Sequence, residues 1–192
     1  GVSGNGTYLN MLYTDAYVKS YSPDLIIDMF FLGNDLSNDS ASAVHAPQFG
    51  SDGSVHLAPP KQSHSKTYFT IKEIAKSSAL IRTIHKAYST KKQTPLVPSG
   101  TSEADALPIE RQVYLRTPPS EIMYAWETEK KLLAGFTQYA STSGARFLVV
   151  GIPESFAVHP ELVEESFPKF DLALIDTLAP ENQLGEISAQ EN

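Results

Sequence analysis

Asn34, set between Gly33 and Asp35 directly after the apolar run Phe30-Phe31-Leu32, is the residue best placed by type and context to do chemistry. An uncharged side-chain amide aims N–H donors without bringing a charge. Pointed at a carbonyl oxygen that turns negative in an acyl-transfer transition state, one such donor is worth about 3–4 kcal/mol of barrier. Gly33 lets the backbone approach closely, and Asp35 is suited to hold nearby backbone amides and fix the turn. As an isolated tripeptide, Gly-Asn-Asp also reads as a plain turn.

A second Gly/Asn-rich turn, Gly1-Val2-Ser3-Gly4-Asn5-Gly6-Thr7, stands just ahead of a helical pattern. Glycines before a helix suggest backbone N–H groups offered to an anion at the helix N-terminus. No lysine precedes Thr7, so a phosphate loop of the Walker type is excluded. Ser3 comes near the nucleophile-elbow pattern Gly-x-Ser-x-Gly, but Asn5 occupies the position of its last glycine.

The remaining polar residues carry less. None of His45, His56, His64, His85 and His159 forms a His-x-x-x-His pair, and the chain has no cysteine, so no metal is expected. Asp35-Leu36-Ser37-Asn38-Asp39 lacks the glycine and the closing glutamate of a calcium loop. No cofactor is expected either. The formal net charge of −7 argues against nucleic-acid binding, which leaves a basic footprint. No stretch reaches the roughly 18 apolar residues of a membrane span.

These residues need elements to position them. Thr7 is expected to cap a helix running to about Tyr21, with Leu9, Met11, Leu12 and Ala16 inward. Ser22-Pro23-Asp24 stops it, because proline disfavours helix at the residue before it. Residues 25–32 then read as a parallel strand covered on both faces, with Asp28 a satisfied buried carboxylate. Residues 36–65 read as a long loop, and 66–89 as a basic helix with Ile71, Ile74, Ile81, Ile84 and Tyr88 on one stripe. Residues 90–107 are irregular again. A helix opened by Pro118-Pro119-Ser120 follows, its period traced by Ile122, Ala125, Trp126, Glu129, Leu132, Leu133, Phe136 and Ala140. Gly144 stops it, and 146–152 form a second buried strand. One or two short helices are expected within 160–178, then a polar end.

Charge is polarised along the chain. Residues 61–92 are basic apart from Glu73, and 147–192 are acidic apart from Lys169. Two solvated faces of opposite sign account for this, although such polarity also steers ligands.

Taken together, Gly-Val-Ser-Gly-Asn-Gly-Thr, a helix, Ser-Pro-Asp-Leu, an apolar strand and Phe-Leu-Gly-Asn-Asp-Leu resemble the SGNH (GDSL-like) hydrolase superfamily over residues 1–39. A looser likeness covers 120–180, where Phe147-Leu148-Val149-Val150-Gly151-Ile152-Pro153 looks like the family's next strand. The resemblance implies an α/β, flavodoxin-like three-layer fold with a parallel sheet flanked by helices. The chain would be a truncated SGNH domain over 1–192, with an insertion at about 36–118. It implies that Gly4 and Asn34 form the oxyanion hole, supported by Gly33 and Asp35.

The family's nucleophile lies in a Gly-Asp-Ser block and its base in an Asp-x-x-His block; neither occurs here. Nucleophile and base are therefore expected outside this chain, which alone would be inactive. The implied activity of the parent is serine esterase, lipase or deacetylase chemistry on a small-molecule, carbohydrate or lipid ester. A non-catalytic binding module and an O-acetyltransferase of the same fold are the alternatives. The compartment is left open, with a lean toward a secreted, periplasmic or membrane-anchored parent. Two strands are few for a stable sheet, so helices are expected to cover them incompletely and leave an apolar edge on the first.

Overall fold

The computed structural model describes residues 5–39, 46–57 and 107–190, all within one compact unit built from 1–58 and 102–192. The basic helix expected at 66–89 lies outside the described residues, as do Ser3 and Gly4.

Two strands form the sheet. β1 (Leu25–Phe31) and β2 (Arg146–Ile152) pair in parallel, Leu25 opposite Arg146 and Phe31 opposite Ile152. The Leu32 N–H carries the ladder one residue further to the Ile152 carbonyl at 3.0 Å. Mixed α/β architecture is thus what the chain adopts.

The helix α4 (Ser120–Thr142) packs along β2. Pro119 stands at its N-cap, a place where a missing N–H costs nothing. Every residue of its expected stripe is buried, Glu129 included. Gly144, at φ +78°, takes the left-handed conformation that ends the helix, and the Ala145 N–H closes back on the Ala140 carbonyl at 2.9 Å. The stripe meets Phe30 through Trp126 and Phe147 through Phe136, ring centroids 6.2 and 4.6 Å apart.

The first helix departs from expectation. α1 spans only Thr7–Tyr13, followed by a π-helical turn over Thr14–Val18 and a 3-10 turn over Lys19–Tyr21. The wider turn rotates the later residues off the buried face: Thr7, Tyr8, Met11 and Thr14 are buried, and Ala16 is exposed. Gly6, not Thr7, is the N-cap residue.

The strand β1 is covered on one face only. Ile26, Asp28 and Phe30 are buried, whereas Leu25, Ile27 and Met29 are 41%, 49% and 53% exposed. A continuous apolar run does not say how many faces are covered, since both arrangements ask for the same residue types. Leu148 of β2 extends the bare face.

Short elements finish the unit. α2 (Asp35–Asn38) packs beside α4, and α3 (Ile109–Gln112) packs on α2, so the loop expected from residue 36 begins with a helical turn. Phe49 and Val55 meet in an antiparallel bridge. After β2 come α5 (Ser155–Val158), a 3-10 turn (Pro160–Leu162), α6 (Val163–Ser166), a second 3-10 turn (Leu172–Leu174) and α7 (Ala179–Gln190). The polar end thus contains a twelve-residue helix, with Leu184 and Ile187 buried against the core. No described helix is long and apolar enough to cross a membrane.

Candidate functional site

Asn34 stands at the carboxyl end of β1, where ligands gather in open parallel sheets. Its turn is held by local bonds. The Asn34 N–H reaches the Phe31 carbonyl at 3.2 Å, and the Asn34 carbonyl accepts from the Asn38 N–H at 3.1 Å and the Ser37 hydroxyl at 2.7 Å. Asp35 closes the turn from below, its Oδ2 accepting the Phe31 N–H at 2.7 Å. Gly33 is closely approached from the segment just after β2: a Cβ there would run into the Glu154 carboxylate.

A cleft of about 670 Å³ begins at this turn and is lined by Asn34, Asp35, Asn5, Asn10, Tyr13 and five residues of β1, among others. None of its walls comes from β2, so it follows the edge of β1 that β2 leaves free. Asn5 is the polar group that sequence reasoning passed over. It lines the same cleft as Asn34, and its side-chain amide nitrogen is itself buried without a hydrogen-bond partner among the described residues. Neither described histidine reaches the cleft: His56 and His159 are exposed, and His159 lies 3.3 Å from Glu161.

Beneath the two turns lies a cluster of buried carboxylates. Asp28, Asp35, Asp39 and Glu129 come from β1, α2, the residue following α2, and α4, and all are almost wholly inaccessible. Asp28 is satisfied, as expected: the Asn10 amide donates to its Oδ1 at 2.8 Å and Thr7 Oγ1 lies 3.3 Å from its Oδ2. Thr7 Oγ1 also lies 2.6 Å from Glu129 Oε1. Thr7 therefore ties α1 to β1 and α4 instead of capping its own helix.

Asp39 supplies the cap that Thr7 does not. Its Oδ1 accepts the Tyr8 N–H at 3.3 Å, and the Thr7 N–H also faces the carboxylate. The anion expected at this helix start is thus an internal one, which favours the N-terminal end of the helix as an external ion would. Gly6 makes room for it, because a Cβ there would collide with the Asp39 carboxylate.

Burial raises the pKa of all four acids. Asp35 is pushed up to about 6 by desolvation, opposed by the Phe31 N–H and reinforced by Asp28. Asp39 rises to about 7, again through desolvation, with the Tyr8 and Thr7 amides pulling back and Asp35 and Asp28 adding to the rise. Desolvation holds Asp28 up against its bonds from Asn10 and Thr7. Glu129 lies well above the ordinary glutamate value, through its complete burial first and the charge of Asp39 second. Among the described residues no group of His, Asp and Glu is arranged to hold a metal ion.

Of the residues expected to make the site, Gly33, Asn34 and Asp35 stand together at one turn, while Gly4 lies outside the described residues. Comparison of the chain with family models, curated proteins and solved structures finds no match.

Proposed function

We propose that this chain supplies the oxyanion-stabilising part of an SGNH-type serine hydrolase acting on an ester, with a flavodoxin-like domain completed by further polypeptide. The observation that carries the reading is the position of Asn34. It follows the carboxyl end of a parallel strand covered on one face, on a cleft wall shared with Asn5 and in a turn braced by Asp35 and Ser37. That arrangement suits a preorganised donor, which stabilises developing negative charge without having to reorganise during the reaction.

In the proposed reaction a serine attacks the ester carbonyl, a histidine takes its proton and passes it to the alcohol that leaves the tetrahedral intermediate, and water then releases the acyl group from the serine as a carboxylic acid. Asn34 donates to the oxyanion of that intermediate, with the Gly4 backbone N–H as the second donor implied by the resemblance. Nucleophile and base come from outside residues 1–192.

The test is an ester-hydrolysis assay with p-nitrophenyl acetate in two formats. The chain alone is expected to show no burst; a burst lost on Asn34→Ala would overturn the division of labour. A longer polypeptide carrying Gly-Asp-Ser upstream and Asp-x-x-His downstream is expected to turn over. There Asn34→Ala should lower kcat by about 10²–10³-fold. Full activity in that variant would remove Asn34 from the mechanism, and an inert full-length protein would favour the binding module.

A further inference from the structure

The proton count in the buried acid cluster does not close with every carboxyl ionised. Thr7 carries one hydroxyl hydrogen, yet its Oγ1 lies 2.6 Å from Glu129 Oε1 and 3.3 Å from Asp28 Oδ2. One hydrogen makes one full bond, so with every carboxyl ionised the second contact has no proton of its own. Asp28 has a second donor in Asn10, whereas Glu129 has none among the described residues beyond Thr7. Glu129 Oε2 and Asp39 Oδ2 are both buried, and neither accepts a hydrogen bond among the described residues.

Among the described residues no counter-charge acts on Glu129. α1 presents Thr7, Asn10 and its first amides; β1 presents Asp28; α2 and its following residue present Asp35, Asn38 and Asp39. The charges acting on Glu129 are those of Asp39, Asp28 and Asp35, all negative. A wholly buried carboxylate among three others is costly to ionise.

We propose that Asp39 and Glu129 form a proton-dependent clamp, in which neutral Glu129 lets the Asp39 carboxylate stay seated on the start of α1 and so fixes the Asn5–Gly6–Thr7 turn against the Gly33–Asn34–Asp35 turn. Asp39 is the positioning residue, because it follows α2 directly and reaches back to the amides behind Gly6. Ionising Glu129 places a second negative charge beside Asp39 and pushes the two turns apart. The sign follows from the direction of the shift. The folded state keeps a proton that the unfolded chain releases, so stability is complete below the ordinary glutamate pKa. It falls as pH rises toward the folded value. The clamp rests on the contacts of Thr7, Asp39 and Glu129 and on their burial; only its bearing on catalysis rests on the esterase reading.

Carboxyl-carbon and amide NMR of the chain, run from about pH 4 to pH 10 and paired with urea unfolding, tests it without any activity. In the wild type the Glu129 carboxyl carbon is expected at its protonated position at neutral pH. The Gly6 and Asn34 amide resonances should then move together as it ionises. In Glu129→Gln the amide supplies a donor that does not titrate, so the step that follows Glu129 disappears and only the steps of Asp35 and Asp39 remain. The pH slope of the unfolding free energy should shrink by about one proton.

A Glu129 carboxyl that titrates at the ordinary glutamate value, or shows no step anywhere in the scanned range, overturns the switch. An Asn34 resonance that ignores the transition overturns the coupling of the turns. An unchanged slope in Glu129→Gln overturns the proton assignment. If that variant does not fold, the wild-type titration decides alone.

Discussion

At the residue scale, the small and polar side chains around the first turn each answer a demand made by a distant part of the chain. Gly6 is glycine because the Asp39 carboxylate occupies the space of a Cβ. Gly6→Ala is therefore expected to displace Asp39 and leave the Tyr8 N–H unpaired, a loss of about 1–3 kcal/mol, read from urea midpoints. Thr7 is wholly buried and serves two carboxylates through one hydroxyl. Thr7→Val keeps the shape and removes the hydroxyl, stranding buried oxygens at a cost of about 1–3 kcal/mol. A Val variant as stable as the parent would mean that the cluster is bridged by something other than Thr7.

At the scale of elements, α4 was legible in the sequence almost residue by residue, because its stripe has a helical period and both ends carry their own signals. Gly144 is the clearest of these. Its φ of +78° is open to glycine, and nothing lies within 4 Å of a Cβ there, so backbone strain alone sets the cost of substitution. Gly144→Ala is expected to lose about 1–2 kcal/mol, visible as a lowered Tm. α1 was legible only at its start. The π-helical turn over Thr14–Val18 is a tertiary choice, and no periodicity in that segment announces it. Asp28 and Glu129 read as oddities in apolar patterns; each proved to be part of one cluster, which neither pattern alone could show.

At the scale of the whole molecule, the sheet carries a bare apolar face formed by Leu25, Ile27, Met29 and Leu148. Exposed apolar surface of this extent invites association. The double variant Met29→Lys, Leu148→Lys is expected to reduce dye binding by apolar probes and concentration-dependent light scattering. Its stability should change by less than about 0.5 kcal/mol, the usual range for surface substitutions. Unchanged scattering would locate the sticky surface elsewhere.

The sequence by itself determined the two strands, the long helix between them and the turn that carries Asn34, because period, proline and glycine act within a few residues. The tertiary structure decided which face of β1 is covered and where the polar groups of the two turns find their partners. Thr7 meets Glu129 across 122 intervening steps of chain, and Tyr8 meets Asp39 across 31. A buried carboxyl takes its protonation state from whatever packs around it, and that neighbourhood exists only once the chain has folded.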